Sequence, residues 1–321
     1  MTPQERRFWL AAERTAASVG PEMRAALLAL VRSMRDRLSD AEMERLIRAG
    51  RVEDLVRGML VAIEAEARVR PVRDAIRTAY QRSAETTIAT LPFPRAVTVD
   101  VAFNLLSPRV VAAIETLESR ALTAIGEEAA ATVRQVVQRG IVEGVGPRAL
   151  IPQLRASIGL APNQEAAVRA YADALRSGDF AKARGYALRD KRSDVLLRRL
   201  AKERGALTEA QVERMTASYR KGWQAFNAET QSRTAMLDAS RAGQREAYEA
   251  AIESGGLDRS RAMKRWVTTL DGRQRASHDA MHGVEVQMDQ LFPVDGGVQV
   301  PGENAYNCRC VCLYRLKPRT A

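Results

Sequence analysis

The chain has 321 residues, 46% of them hydrophobic, which excludes wholesale disorder and allows two or three packed units of ~100–150 residues each. Aromatic residues make up only 5%, and cores filled by Ala and Leu are helix cores, so a mainly α fold is expected. The formal charge is +11, and no window of ~18 uncharged apolar residues occurs, which excludes a helical membrane span.

Met1 to Ala17 mixes Glu5, Arg6, Arg7, Glu13 and Arg14 with apolar residues, the pattern of an amphipathic helix rather than a signal peptide. Gly20-Pro21 is expected to separate it from a second helix carrying Leu27, Leu30, Val31 and Met34. Ser39-Asp40 reads as a capped helix start. A long helix is expected from Val52 to Thr90, with Pro71 as its point of breakage, and Leu91-Pro92-Phe93-Pro94 ends it. Val97 to Phe103 reads as a short strand or an extended linker. Helix resumes from Pro108 to Arg139 and closes at Gly140 and the Gly144–Pro147 turn.

Beyond that turn the expected helices are short: Ala149 to Ile158, Glu165 to Arg176, and Asp190 to Arg204. Thr208-Glu209 then starts a helix running, with interruptions, to Ile252. After Gly255-Gly256 the pattern changes. Trp266 to Leu270 reads as a strand, Asp271-Gly272 as a turn, Arg273 to His282 as a short helix, and Cys308 to Leu316 as a second strand. The expected organisation is an N-terminal helical region (1–145), a central helical region with a basic face (146–258) and a small C-terminal α+β domain (259–321). That last domain has too little core to stand without support.

Several ordered blocks carry a family resemblance. They are Gly146-Pro147-Arg148 with a helix to Gly159-Leu160, Leu207 to Gln211, and a helix with Arg233-Thr234 and Gly243-Gln244-Arg245. They continue with Lys264-Arg265-Trp266, Thr268 to Arg273, Ser277-His278, Gly283, Pro301-Gly302, and finally Asn307-Cys308-Arg309-Cys310. Together, over roughly residues 140–316, they resemble the phage Mu F-like minor head protein, or head-morphogenesis, family. Ala235 departs from the family, where an acidic residue commonly follows Arg-Thr, and His282 is not expected as a fixed histidine. The resemblance implies a minor capsid protein in the virion head near the portal, present in host cytoplasm during assembly. It implies the portal protein and other head components as partners in assembly and DNA packaging, and no established catalytic activity. Trp266, Asp271, Arg273, Gly283 and Asn307 are its structural motif positions.

Two constellations carry candidate chemistry. His278, His282, Cys308 and Cys310 have the residue types of a Cys₂His₂ zinc site: positions four apart share a helix face and positions two apart share a strand face. Cys312 is a spare thiol. The competing reading is a pair of buried core thiols beside a hydrogen-bonded histidine. A thiol hydrolase with Cys308 as nucleophile, His278 as base and Asp271 as orienter has the right residue types but no recognisable motif.

The second constellation is basic. Residues 151–220 hold 14 basic and 8 acidic side chains. Within them, Arg184, Arg189, Lys191, Arg192, Arg198, Arg199 and Lys202 are candidates for non-specific phosphate contact with DNA, the last five on one helix arc. A solvated face is the alternative. The functional expectation is therefore a structural head-assembly protein. A DNA-binding internal head protein and a metal- or thiol-dependent hydrolase are the other readings.

Overall fold

The computed structural model describes residues 3–90, 104–294, 296–303 and 305–317. Among them are eleven α-helices and one three-stranded antiparallel sheet. The segments expected to end a helix at Leu91–Pro94 and to form a strand or linker at Val97–Phe103 lie outside the described residues. No helix among the described residues is long and apolar enough to cross a membrane.

The N-terminal helices are longer than the sequence punctuation suggests. α1 (Pro3–Arg35) runs straight through Gly20-Pro21. Ala12, Ala16, Val19, Met23, Leu27, Leu30 and Met34 are all buried on it, an apolar stripe at three- and four-residue steps that does not pause at the proline. Burial along that stripe outweighs the one hydrogen bond Pro21 removes. α2 (Asp40–Arg48) starts as expected, with Ser39 and Glu42 forming a reciprocal capping box. The long helix over 52–90 is broken, but at Ala65 rather than at Pro71, giving α3 (Val52–Glu64) and α4 (Glu66–Thr90). Ala65 is extended, at φ −77° and ψ 109°. α5 (Pro108–Val142) continues past Gly140 to the left-handed Gly144.

α6 (Pro147–Ser157) and α7 (Pro162–Arg176) follow the expected pattern, each with proline in its first turn. A further short helix, α8 (Phe180–Gly185), capped by Asp179, had no clear sequence signal. The basic segment is not one helix: Lys191–Ser193 is a 3₁₀ turn and α9 covers Asp194–Glu203. α10 (Glu209–Glu253) is uninterrupted. Thr208 and Gln211 exchange side-chain to backbone hydrogen bonds at its start.

β1 (Ala262–Val267) is the central strand, flanked by β2 (Glu285–Gln287) and β3 (Val311–Leu316) in the order β2-β1-β3. Trp266 pairs with Cys312 and Val267 with Val311. α11 is a single turn, Ala276–Asp279, shorter than the helix expected from Arg273 to His282. β3 likewise begins three residues after Cys308, so Cys308 and Cys310 stand in the approach to the strand rather than on it.

The described chain forms two compact units. One contains residues 27–69 and 122–229. Its core joins Leu160, Tyr171, Phe180, Leu197 and Tyr219, with Tyr171, Tyr186, Tyr219, Trp223 and Phe226 meeting mostly edge to face, as packing rather than as an open stacking platform.

The other contains residues 1–26, 70–121 and 230–321. Here the thin sheet is covered on both faces. Ala262, Trp266, Cys312 and Tyr314 pack with Tyr248, Ala251 and Phe292. Val267, Val311 and Leu313 pack with Ala12 and Trp9. This is the support that the small C-terminal core needs.

In the same unit, Gly243 of α10 lies against the Tyr80 backbone of α4, so closely that an added Cβ would overlap the Tyr80 carbonyl. Gly243→Ala should therefore destabilise the protein by about 1–3 kcal/mol, read as a lowered urea midpoint. An unchanged midpoint would show that the two helices can part without cost.

Candidate functional site

The segment Asn307–Cys310 is held from behind by α10. Asn307 has a left-handed backbone, φ 56°. Its N–H donates to Thr234 Oγ1 at 3.2 Å, and its side-chain oxygen accepts from Arg233 Nη2 at 3.1 Å. Two turns further along the helix, Arg241 is 1% exposed. Its guanidinium donates through Nε to the Cys310 carbonyl at 2.9 Å and through Nη2 to the Cys308 carbonyl at 2.6 Å. The third arm, Nη1, donates to Asp238 Oδ1 at 2.7 Å. Asp238 is also reached by Arg120 of α5, at 2.5 Å. Burial pushes the Asp238 carboxyl up, while the charges of Arg241 and Arg120 act against that rise.

Gly302 completes the arrangement. It adopts φ +91°, and a Cβ there would strike the Arg241 guanidinium. The position therefore needs glycine for its backbone and for the space it leaves.

In front of the clamp lie the chemical groups. His278 on α11 points Nδ1 at Cys308 Sγ (3.5 Å) and Cys310 Sγ (3.7 Å). All three side chains are buried, and their ligand atoms lie within 4.8 Å of one another. The imidazole also meets Trp266 edge on, ring centroids 5.1 Å apart, and its Nε2 has no hydrogen-bond partner among the described residues. Cys308 and Cys310 form a coupled pair. The hydrogen bond from Cys310, then that from His278 and the nearby Arg241 charge, favour the thiolate at Cys308. Its presence and burial hold the proton on Cys310.

The other expected ligands are elsewhere. His282 lies beyond α11, where its Nδ1 accepts from the Thr268 N–H at 3.2 Å. The four-residue helical spacing that would join it to His278 is lost because α11 ends at Asp279. Cys312 lies on β3, opposite Trp266, and burial pushes its thiol up to about 12.

Asp271 does not orient His278. It accepts from Thr269 Oγ1, the Arg273 N–H and the Arg273 guanidinium, and it pairs with Arg309 at 3.4 Å. It is a turn-fixing group that ties 269–273 to the Asn307–Cys310 segment. Arg309 itself is anchored by Glu13 and lies over Trp9, whose indole N–H donates to the Arg309 carbonyl. Gly283, at φ +85°, donates to the Trp266 carbonyl and lies against Arg265.

The basic constellation is partly neutralised. Arg189 makes a two-pronged ion pair with Asp194, and Arg192 one with Asp190. Arg184 donates to the Phe180 carbonyl. Lys191 and Arg192 fall in the 3₁₀ turn, so the five-residue arc reduces to Arg198, Arg199 and Lys202, exposed on α9. Arg199 lies 3.9 Å from Glu203.

Sequence reasoning missed Arg241, Asp238 and Arg120. The available signal was the pair Asp238 and Arg241, three residues apart and so on one face of a helix, in a run that is otherwise mostly small or apolar.

Residues 201–313 match the family described as "Phage Mu protein F like protein". The resemblance read from the sequence therefore holds over α10 and the C-terminal sheet, while the block at 146–160 lies outside the matched span. No curated protein and no solved structure matches the chain.

Two substitutions test this site. Arg241→Met would leave two buried carbonyls without a donor and Asp238 with Arg120 alone, and should cost about 3–5 kcal/mol in urea unfolding. Arg241→Lys should recover little, because an ammonium cannot span three acceptors in a fork.

Lys264, fully buried on β1 with Nζ donating to the Gln299 carbonyl and side chain, is pushed by burial down to about 8 from 10.5. The unfolded chain then binds that proton more tightly, so the Lys264 contribution to stability rises between pH 8 and 10.5. Comparing unfolding midpoints across that range, Lys264→Met should lack the rise seen in the parent protein. Equal pH profiles would refute it.

Proposed function

We propose that this chain is a minor head protein of a tailed phage or prophage, acting beside the portal protein during head assembly and DNA packaging. The observation that carries the reading is how the matched span is built. Arg233, Thr234, Asp238 and Arg241 on α10 hold the Asn307–Cys310 segment, so sequence blocks separated by about seventy residues form one piece of structure. That piece is fixed by polar contacts, those of Arg241 buried, and its described residues form no Cys-His-Asp triad, which supports an assembly role over a hydrolase.

The reading places the protein in the virion head, reached from host cytoplasm. Its test is genetic and physical. Deleting the gene should leave heads that are misassembled or lack DNA, and the protein should be found in purified particles and co-purify with the portal protein of the same phage. Normal DNA-filled particles from the deletion would refute the role.

A second reading, contact with DNA phosphate, is favoured by the exposed row Arg198, Arg199 and Lys202. Three phosphate contacts predict a slope of about −2.7 in log affinity against log salt on duplex DNA of any sequence. Replacing the three residues by Glu should abolish the binding. Binding that survives those changes excludes α9 as the contact.

A further inference from the structure

We propose that His278, Cys308 and Cys310 are three protein ligands of a single zinc ion, with solvent as the fourth ligand. The inference is independent of the head-assembly role.

Its first support is metric. Zinc is held about 2.3 Å from thiolate sulfur and about 2.0–2.1 Å from imidazole nitrogen, and tetrahedral angles then place N and S about 3.6 Å apart. The two N···S edges here are 3.5 and 3.7 Å, measured from the same nitrogen. A third edge, between the sulfurs, falls within the same 4.8 Å limit.

The second support is chemical. Two thiolates and one imidazole suit zinc rather than the oxygen-seeking Mg²⁺ or Ca²⁺. Two thiolates also balance the ion's charge, their protons leaving to solvent on binding.

The third is positional. Arg241 holds the carbonyls of both cysteines, and Trp266 abuts the imidazole, so the triangle is set by packing that the ion need not create. All three residues line a small cleft of ≈ 40 Å³, with Asp271, Arg273 and Asn307 also in its wall. That volume exceeds the ~10–15 Å³ a water needs, so the fourth position has an occupant at hand. Cys312 and His282 are outside this triangle and take no part.

The bound ion would join the turn of α11 to the approach to β3, segments 30 residues apart in sequence. The small sheet would thereby gain a crosslink that its apolar core does not supply.

The experiment uses the full chain, purified without chelator, and measures metal content together with cobalt substitution. About one zinc per chain is expected. The cobalt form should show thiolate-to-metal charge transfer and the d–d bands of a tetrahedral site. X-ray absorption at the zinc edge of the unmodified protein should give two sulfur and two lighter ligands, a readout that needs no variant to fold. Cys308→Ser, Cys310→Ser and His278→Ala should each lose metal, and Cys312→Ala should keep it. Protein that takes up neither zinc nor cobalt overturns the proposal. So does a Cys308–Cys310 disulfide found by mass spectrometry in protein kept under reducing conditions, or a cobalt spectrum unchanged in both serine variants.

Discussion

A buried arginine needs acceptors for a fork of fixed geometry, and Arg241 finds three of them on two different parts of the chain. Two are backbone carbonyls that no strand partner takes, because Cys308 and Cys310 lie before the ladder of β3 begins. The third is a carboxylate one turn back on the same helix. The cost of burying the charge is offset only while all three are present. The same constraint fixes the path of the Asn307–Cys310 segment, requires glycine at 302, and sets the facing of both thiols. The cluster at His278 is thus a result of electrostatics behind it as much as of packing around it.

Where apolar periodicity was strong, the sequence was a reliable guide. The strand around Val311, the capped start at Ser39 and the helix from Thr208 are found close to their expected places, whereas the strand expected from Trp266 to Leu270 instead spans Ala262–Val267. Proline misled twice, since Pro21 and Pro71 both lie inside helices. At Pro21 a local rule was overridden by a continuous buried stripe. The basic segment was misread for a different reason. Asp190 and Asp194 capture Arg192 and Arg189 and wind the chain into a 3₁₀ turn before α9 begins.

The candidate cluster was legible as residue types and not as geometry. Spacing rules for helices and strands pointed to three residues that the fold does bring together, but by a route it does not use. Cys308 and Cys310 are brought to one side by a left-handed asparagine and the arginine clamp, not by strand alternation. His282, which does follow helical spacing on paper, is removed by the early end of α11. No pattern in one sequence announces that Arg241 will face Cys308, since the pairing joins residues 67 apart through a side chain and a backbone atom.

The sheet's outer face bears on the order in which the molecule can be completed. Trp9 and Ala12 of α1 cover Val267, Val311 and Leu313, and the Trp9 indole bonds to a carbonyl 300 residues away. A ribosome releases α1 long before it makes β3. Until β1 and β3 have been made, that end of α1 has no native surface to cover, and its apolar side waits in solvent or under a chaperone. Contacts of such long sequence separation form late and slowly. The unit that carries the cluster therefore closes only once β3 has been made, when that strand locks α1 in place.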